Sequence, residues 1–142
     1  MIDGVSQRLV ARFCKTQRVA FAALFGSAAS GRATADSDLD VAFWVEGHRI
    51  EGRELDLTNG LMQLLHRNDV DVVVLNHANP LLQWQVALSG TLLYERTPGR
   101  FGQFQVYAMK RYDDSRRLLA LQDLFLTRLL RGARPAWQTS AP

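Results

Sequence analysis

The chain has 142 residues, 47% of them hydrophobic and 22% charged, the size and balance of one globular domain and not of a disordered, fibrous or disulfide-stapled chain. The charge is uneven: residues 1–95 hold eight basic and eleven acidic side chains, whereas residues 96–142 hold nine and three, a net of +6 in the last third. That asymmetry favours an anionic partner without choosing among nucleotide phosphate, nucleic acid and an acidic protein face.

In chain order, Val5, Leu9, Val10, Ala11 and Phe13 recur at helical spacing, so residues 3–16 are expected to form an amphipathic helix. The single cysteine, Cys14, falls in this helix, where it is read as a small buried hydrophobe in a reducing compartment. The N-terminus lacks the basic-then-apolar layout of a signal peptide, and the longest apolar run, Val19 to Phe25, is too short to cross a bilayer. A cytoplasmic protein is therefore expected. The same run, stopped by Gly26-Ser27, predicts a buried strand.

The small and polar residues of GSAASGRATADS predict a loop with at most a short helix, and Asp38 to Val45 a second strand whose entrance is polar. Residues 49–66 carry leucines at helical spacing, although Gly52 and Gly60 weaken that pattern. Val70 to Leu75 predicts a strand. Asn79 and Pro80 open a helix that runs to about Leu88, with Gly90 closing it. Thr91 to Tyr94 predicts a short strand and Phe101 to Leu130 a long helix, along which Phe101, Phe104, Ala108, Leu118, Leu121, Phe125 and Leu129 are expected to share a stripe. The resulting class is α+β, a small mixed sheet flanked by helices with a long C-terminal helix, in one domain over residues 1–132 followed by a frayed tail at 133–142.

The chemistry concentrates in LFGSAASGRATADSDLDV, residues 24–41, where ten residues separate Gly26-Ser27 from Asp38-Leu39-Asp40. Residues i and i+2 of a strand share a face, about 7 Å apart, so Asp38 and Asp40 converge on one site. Paired carboxylates repel unless a cation lies between them, and their hard oxygens suit Mg²⁺. Gly26 lets backbone approach a ligand, while Ser27 caps a short helix from Ala28 and offers, with nearby N–H groups, a cradle for triphosphate. A third acid should come from a neighbouring strand. Asp71 lies in the apolar run VDVVVL, and its rival Asp69 shares the same face but sits at the strand mouth, where water solvates it.

With these residues in view, positions 24–75 resemble the nucleotidyltransferase superfamily of DNA polymerase β type, and the GS-x10-DxD form resembles its minimal nucleotidyltransferase branch. The resemblance implies the polymerase β-like fold, triphosphate binding by Gly26 and Ser27, metal binding by Asp38, Asp40 and Asp71, and help from Asp71 in activating an attacking hydroxyl. It further implies two Mg²⁺ ions, ATP as substrate, and a role as an antitoxin that transfers AMP to a tyrosine hydroxyl of a HEPN-domain toxin. Neither membrane nor direct nucleic-acid binding is expected. Members of that branch often carry Arg between the Gly-Ser pair and the next glycine, where this chain has Ser30. Arg32 is the candidate to replace that phosphate contact; without it, the chain would act as a non-catalytic antitoxin that neutralises by binding. A transferase acting on a small hydroxylated molecule is the third reading.

Other residue types carry less. His48, His66 and His77 lack metal-ligand spacing, and Trp44 and Trp84 read as packing residues rather than base-stacking ones. Arg111, Arg116, Arg117, Arg128 and Arg131 form either a solvated helix face or, around Arg116 and Arg117, part of a partner surface.

Overall fold

A computed structural model describes residues 2–32, 34 and 37–132. Helix α1, Gly4–Thr16, starts where the Asp3 carboxylate accepts a hydrogen bond from the Ser6 N–H at 2.9 Å. It buries Val10 and Cys14, whereas Val5 is exposed. Strand β1, Val19–Phe25, leads into a single helical turn α2, Gly26–Ala29, and then to β2, Leu39–Val45. Helix α3, Arg53–Leu65, precedes β3, Val70–Val74, and a 3₁₀ turn over Leu75–His77. Helix α4, Pro80–Ser89, strand β4, Thr91–Glu95, and helix α5, Arg100–Gly132, complete the order.

The sheet runs β3-β2-β1-β4, with β1 antiparallel to both β2 and β4 and β2 parallel to β3. It is the mixed sheet expected. Period-two alternation splits its side chains between two cores. Ala22, Leu24, Val41, Phe43, Val70 and Val72 cluster with Val10 and Cys14 of α1 and Leu57 and Leu61 of α3. On the other side Phe21, Ala23 and Ala42 cluster with Val86 and Ala87 of α4 and Phe101, Phe104 and Ala108 of α5. A register shift between Val19 and Phe21 lets adjacent Ala20 and Phe21 both join this second core.

The two glycines that weakened the 49–66 helix have separate reasons. Gly52 holds φ at +77° immediately before α3, so the helix begins at Arg53 and not at residue 49. Gly60 lies inside it, where a Cβ would come within 2.6 Å of the Phe13 ring, so its loss of helix propensity is exchanged for close packing of α3 on α1.

Around the second core, polar groups tie the elements together. Gln83 is fully buried in α4; its Nε2 donates to the Leu75 carbonyl at 2.6 Å and its Oε1 accepts from Arg111 at 3.1 Å. Asn76 accepts from the Val45 N–H and donates to the Val45 carbonyl, both at 2.9 Å, which pins the end of β2. Asn79 caps α4 through the Leu82 N–H at 2.8 Å, as its place before Pro80 suggests. Glu95 accepts from the Gly99 and Phe101 N–H groups at 3.2 Å each and so caps α5.

The long stripe expected on α5 divides in two. Phe101, Phe104 and Ala108 are buried, but Leu118, Leu121, Phe125 and Leu129 are exposed, because the helix outruns the sheet that covers its first turns. At 1.5 Å per residue its 33 residues extend about 50 Å, well beyond the width of a four-stranded sheet. The tail expected at 133–142 lies outside the described residues.

Candidate active site

The C-terminal end of β1 and the N-terminal ends of β2 and β3 meet at one mouth of the sheet. Phe25 pairs with Asp40 across the β1–β2 ladder, and Asp40 stands beside Asp71 across the parallel β2–β3 ladder. Neighbouring strands are about 4.8 Å apart, so register alone sets these two carboxylates side by side on one face. Leu39 points the opposite way and is buried in the α1/α3 core, which anchors the segment from below.

Gly26 closes the site from β1. Its φ is +67°, and a Cβ there would overlap the Asp40 carboxylate, lying 3.1 Å from Cγ. Any larger residue would displace the acid or the backbone. Ser27 follows half-buried in α2, but it does not cap that turn as expected: Phe25 occupies the N-cap position and makes no side-chain cap bond. The turn begins at Gly26, one residue earlier than expected, so Ser27 falls inside it. Ser30 donates to the Ser27 carbonyl at 3.1 Å, turning its hydroxyl inward to the backbone. Arg32 is exposed in the loop beyond.

The electrostatics are those of acids in search of a cation. Partial burial, then the charges of Asp71 and Asp38, push Asp40 above the usual carboxylate range. Asp38 is exposed just before β2, and Asp71 is also exposed. The sequence pattern suggested a buried acid at 71. Its strand, β3, is an edge strand, and this mouth of the second face reaches past the helices that cover it. Asp69, the rival, is committed elsewhere: it pairs with Arg67, which holds it below its ordinary range.

Arg67 is the participant that the sequence reading missed. Its Nε donates to Asp69 at 2.8 Å and its second terminal nitrogen to the Ser37 carbonyl at 3.2 Å, while the Leu39 N–H donates to the Asp69 carbonyl at 2.8 Å. The segment entering β2 is thereby tied to the segment entering β3. The Asp38 charge also acts on Arg67. The available signal was Asp69 itself, an acid at a strand mouth with an arginine two residues before it.

Among the described residues, no three His, Cys, Asp or Glu side chains close into a ready-made metal cage. The donor chemistry of Asp38, Asp40 and Asp71 nevertheless fits a divalent cation. All are hard carboxylate oxygens, and the mutual repulsion felt at Asp40 is what a cation relieves. Cys14, in contrast, is sealed in the opposite core, its thiol pushed up to about 12 by burial, and is no candidate nucleophile. No helix among the described residues is long and apolar enough to cross a membrane.

Comparison with known proteins agrees with this layout. Residues 7–98 match the family Polymerase beta, Nucleotidyltransferase. A protein adenylyltransferase MntA from Aphanizomenon flos-aquae is 30% identical over 91 residues, a match spanning 58% of this chain and 61% of that relative. Among solved structures, a toxin–antitoxin complex with AMP-PNP contains a chain that superposes with a TM-score of 0.69 at 24% identity, covering 84% of this chain and 98% of its own. A second, the tri-AMPylated Shewanella oneidensis HEPN toxin in complex with MNT antitoxin, gives 0.63 at 22% identity, over 85% and 97%. These likenesses establish the polymerase β-like fold. With the family match covering most of the chain, it belongs to the polymerase beta nucleotidyltransferase family.

Proposed function

We propose that this chain transfers AMP from ATP to a tyrosine hydroxyl on a HEPN-type toxin and so acts as its antitoxin in the cytoplasm. The observation that carries the reading is the packing of Gly26 against Asp40, with Asp71 in register beside it. A triphosphate seated on the Gly26-Ser27 turn would have its phosphates next to the carboxylates. The activity and partner come from relatives: one is named a protein adenylyltransferase, and a structural neighbour is described as a complex with an AMPylated toxin.

In this reading the Gly26-Ser27 turn binds the triphosphate, and Asp38, Asp40 and Asp71 hold Mg²⁺. Two such ions, when bound, would stabilise charge on the attacking and departing oxygens of an in-line displacement. The acceptor oxygen forms a bond to the α-phosphorus, the bond from that phosphorus to the bridging oxygen breaks, and pyrophosphate departs. Asp71, beside Asp40 and open to solvent, is the residue positioned to receive the acceptor's proton. Arg67 positions Asp38 by fixing the Ser37 carbonyl.

The test is transfer of label from α-labelled ATP to the purified toxin. The Asp38→Asn, Asp40→Asn double variant should lose transfer by more than about a hundredfold; retained labelling would refute the assignment. One observation favours a second reading, an antitoxin that neutralises by binding alone. Where relatives often place an arginine, Ser30 is bonded to the local backbone and supplies no positive charge. In that case the double variant would still neutralise the toxin.

A further inference from the structure

The face of the sheet that carries the acids also carries a cleft, at the end away from them. It has a volume of about 250 Å³ and is lined by Phe21, Trp44, Phe104 and Tyr107, together with Arg100 and Gln103 of α5. Asp40, Ala42 and Trp44 alternate onto this face along β2, which places Trp44 about 13 Å from Asp40. Between them Ala42 has no exposure at all, sealed in the core that it shares with Val86 of α4 and Ala108 of α5. A triphosphate at the mouth and a ligand in the cleft are therefore separated by packed side chains.

The walls of the cleft are flat and fixed. Trp44 meets Tyr107 edge to face with 5.8 Å between ring centroids, and it lies 6.4 Å from Phe21 at an interplanar angle of 20°. The Tyr107 hydroxyl accepts from Arg111 at 3.3 Å, and Arg111 is itself bonded to the buried Gln83, so this half-exposed ring is held from behind. Such surfaces suit a planar ring in offset or edge-to-face contact. The polar groups select what that ring carries. Arg100 reaches only the Gln103 amide oxygen, at a long 3.4 Å, and pairs with no carboxylate among the described residues. Glu95 and Glu46, the acids at the neighbouring strand ends, are engaged elsewhere: Glu95 accepts the Gly99 and Phe101 N–H groups, and Glu46 pairs with Arg96. The cleft thus offers donors, a guanidinium and the Gln103 NH2. A cationic ring would face Arg100 and a neutral one would leave it unmatched, whereas the two oxygens of a carboxylate fit its fork.

We infer that this cleft is a second ligand site, which binds a planar aromatic acid with its ring against Trp44 and Tyr107 and its carboxylate on Arg100. Pockets for drug-sized molecules run from about 300 to 1,000 Å³, so this smaller one takes one or two rings. The site stands apart from the acidic mouth and is independent of whether AMP is transferred.

The test is calorimetric titration of the full chain, without nucleotide or divalent cation, with three probes of one shape: 2-naphthoate, 2-naphthalenemethanol and 2-naphthylmethylammonium. The acid should bind at least about tenfold more tightly than the alcohol, and the cation should bind most weakly. Arg100→Glu should erase the preference for the acid, and Tyr107→Ala should weaken binding of the acid and the alcohol alike by about fivefold or more. Both positions are exposed, so each variant should fold, which thermal melting checks. Arg100→Glu should also bind AMP-PNP with magnesium as tightly as wild type. Failure of the acid to bind, equal affinity for acid and alcohol, or an undiminished preference in Arg100→Glu would overturn the proposal. So would wild-type affinity in Tyr107→Ala. Displacement of bound 2-naphthoate by AMP-PNP would overturn it by moving the probe to the mouth, and displacement by purified toxin would overturn it by making the cleft part of a protein interface.

Discussion

The acidic mouth of the sheet and the distal half of α5 are both incomplete, in opposite ways. At the mouth, the backbone register of β2 and β3 holds Asp40 beside Asp71, with Asp38 near enough to add its charge, and among the described residues no ion pair engages these three acids. Arg67 is spent on Asp69 and the Ser37 carbonyl. On distal α5 the unmet demand is apolar, a leucine-rich face in water. Folding alone satisfies neither region. The first concentrates charge on rigid strands, the second leaves apolar surface on a helix that no sheet covers.

The two halves of α5 offer the largest contrast. Phe104 packs against Phe21 at 4.9 Å and is buried, so Phe104→Ala should cost about 3–5 kcal/mol by chemical denaturation. An effect below about 1 kcal/mol would remove the distinction between the halves. Next comes Gly26→Ala. It forces a side chain onto the Asp40 carboxylate at positive φ and should cost about 1–3 kcal/mol in stability together with most of the nucleotide binding, read by calorimetry with AMP-PNP. Unchanged nucleotide affinity would detach the Gly-Ser turn from the site.

Asp40→Asn sharpens the comparison through pH. The folded-state carboxylate titrates above its ordinary value of 3.8, so the folded chain holds the proton where the unfolded chain has released it. The linkage therefore lowers stability as pH rises through the window above 3.8 and leaves the full penalty at neutral pH. The variant, free of that charge, should melt at a higher temperature than wild type at pH 7 without nucleotide, and the difference should shrink toward pH 4. A lower melting temperature would mean that the acid supports the fold instead of burdening it. The smallest effect is expected at Phe125, where Phe125→Ala should stay within about 0.5 kcal/mol of wild type, because that residue is already 64% exposed.

Much of the mouth was legible in the sequence because its signals are local. A glycine that ends an apolar run, and acids two apart at the start of the next, need only the period of a strand to be placed on one side. Asp71 was legible as a residue, but its exposure was not: that depends on β3 being the edge strand and on where α4 and α5 stop. The role of Ser27 as a cap was misread because the turn begins one residue earlier, at Gly26. Arg67 went unread because its partners, Ser37 and Asp69, meet only when β2 and β3 lie parallel.

Helical and strand periodicities, caps such as Asn79 and the Gly-Ser and Asp-Leu-Asp spacing are properties of neighbouring residues, and the sequence by itself determined them. Which leucines of α5 are core and which are surface is not such a property. Phe104 and Phe125 belong to the same stripe of the same helix, and the extent of the sheet beneath them decides that one is buried in the fold and the other stands in water.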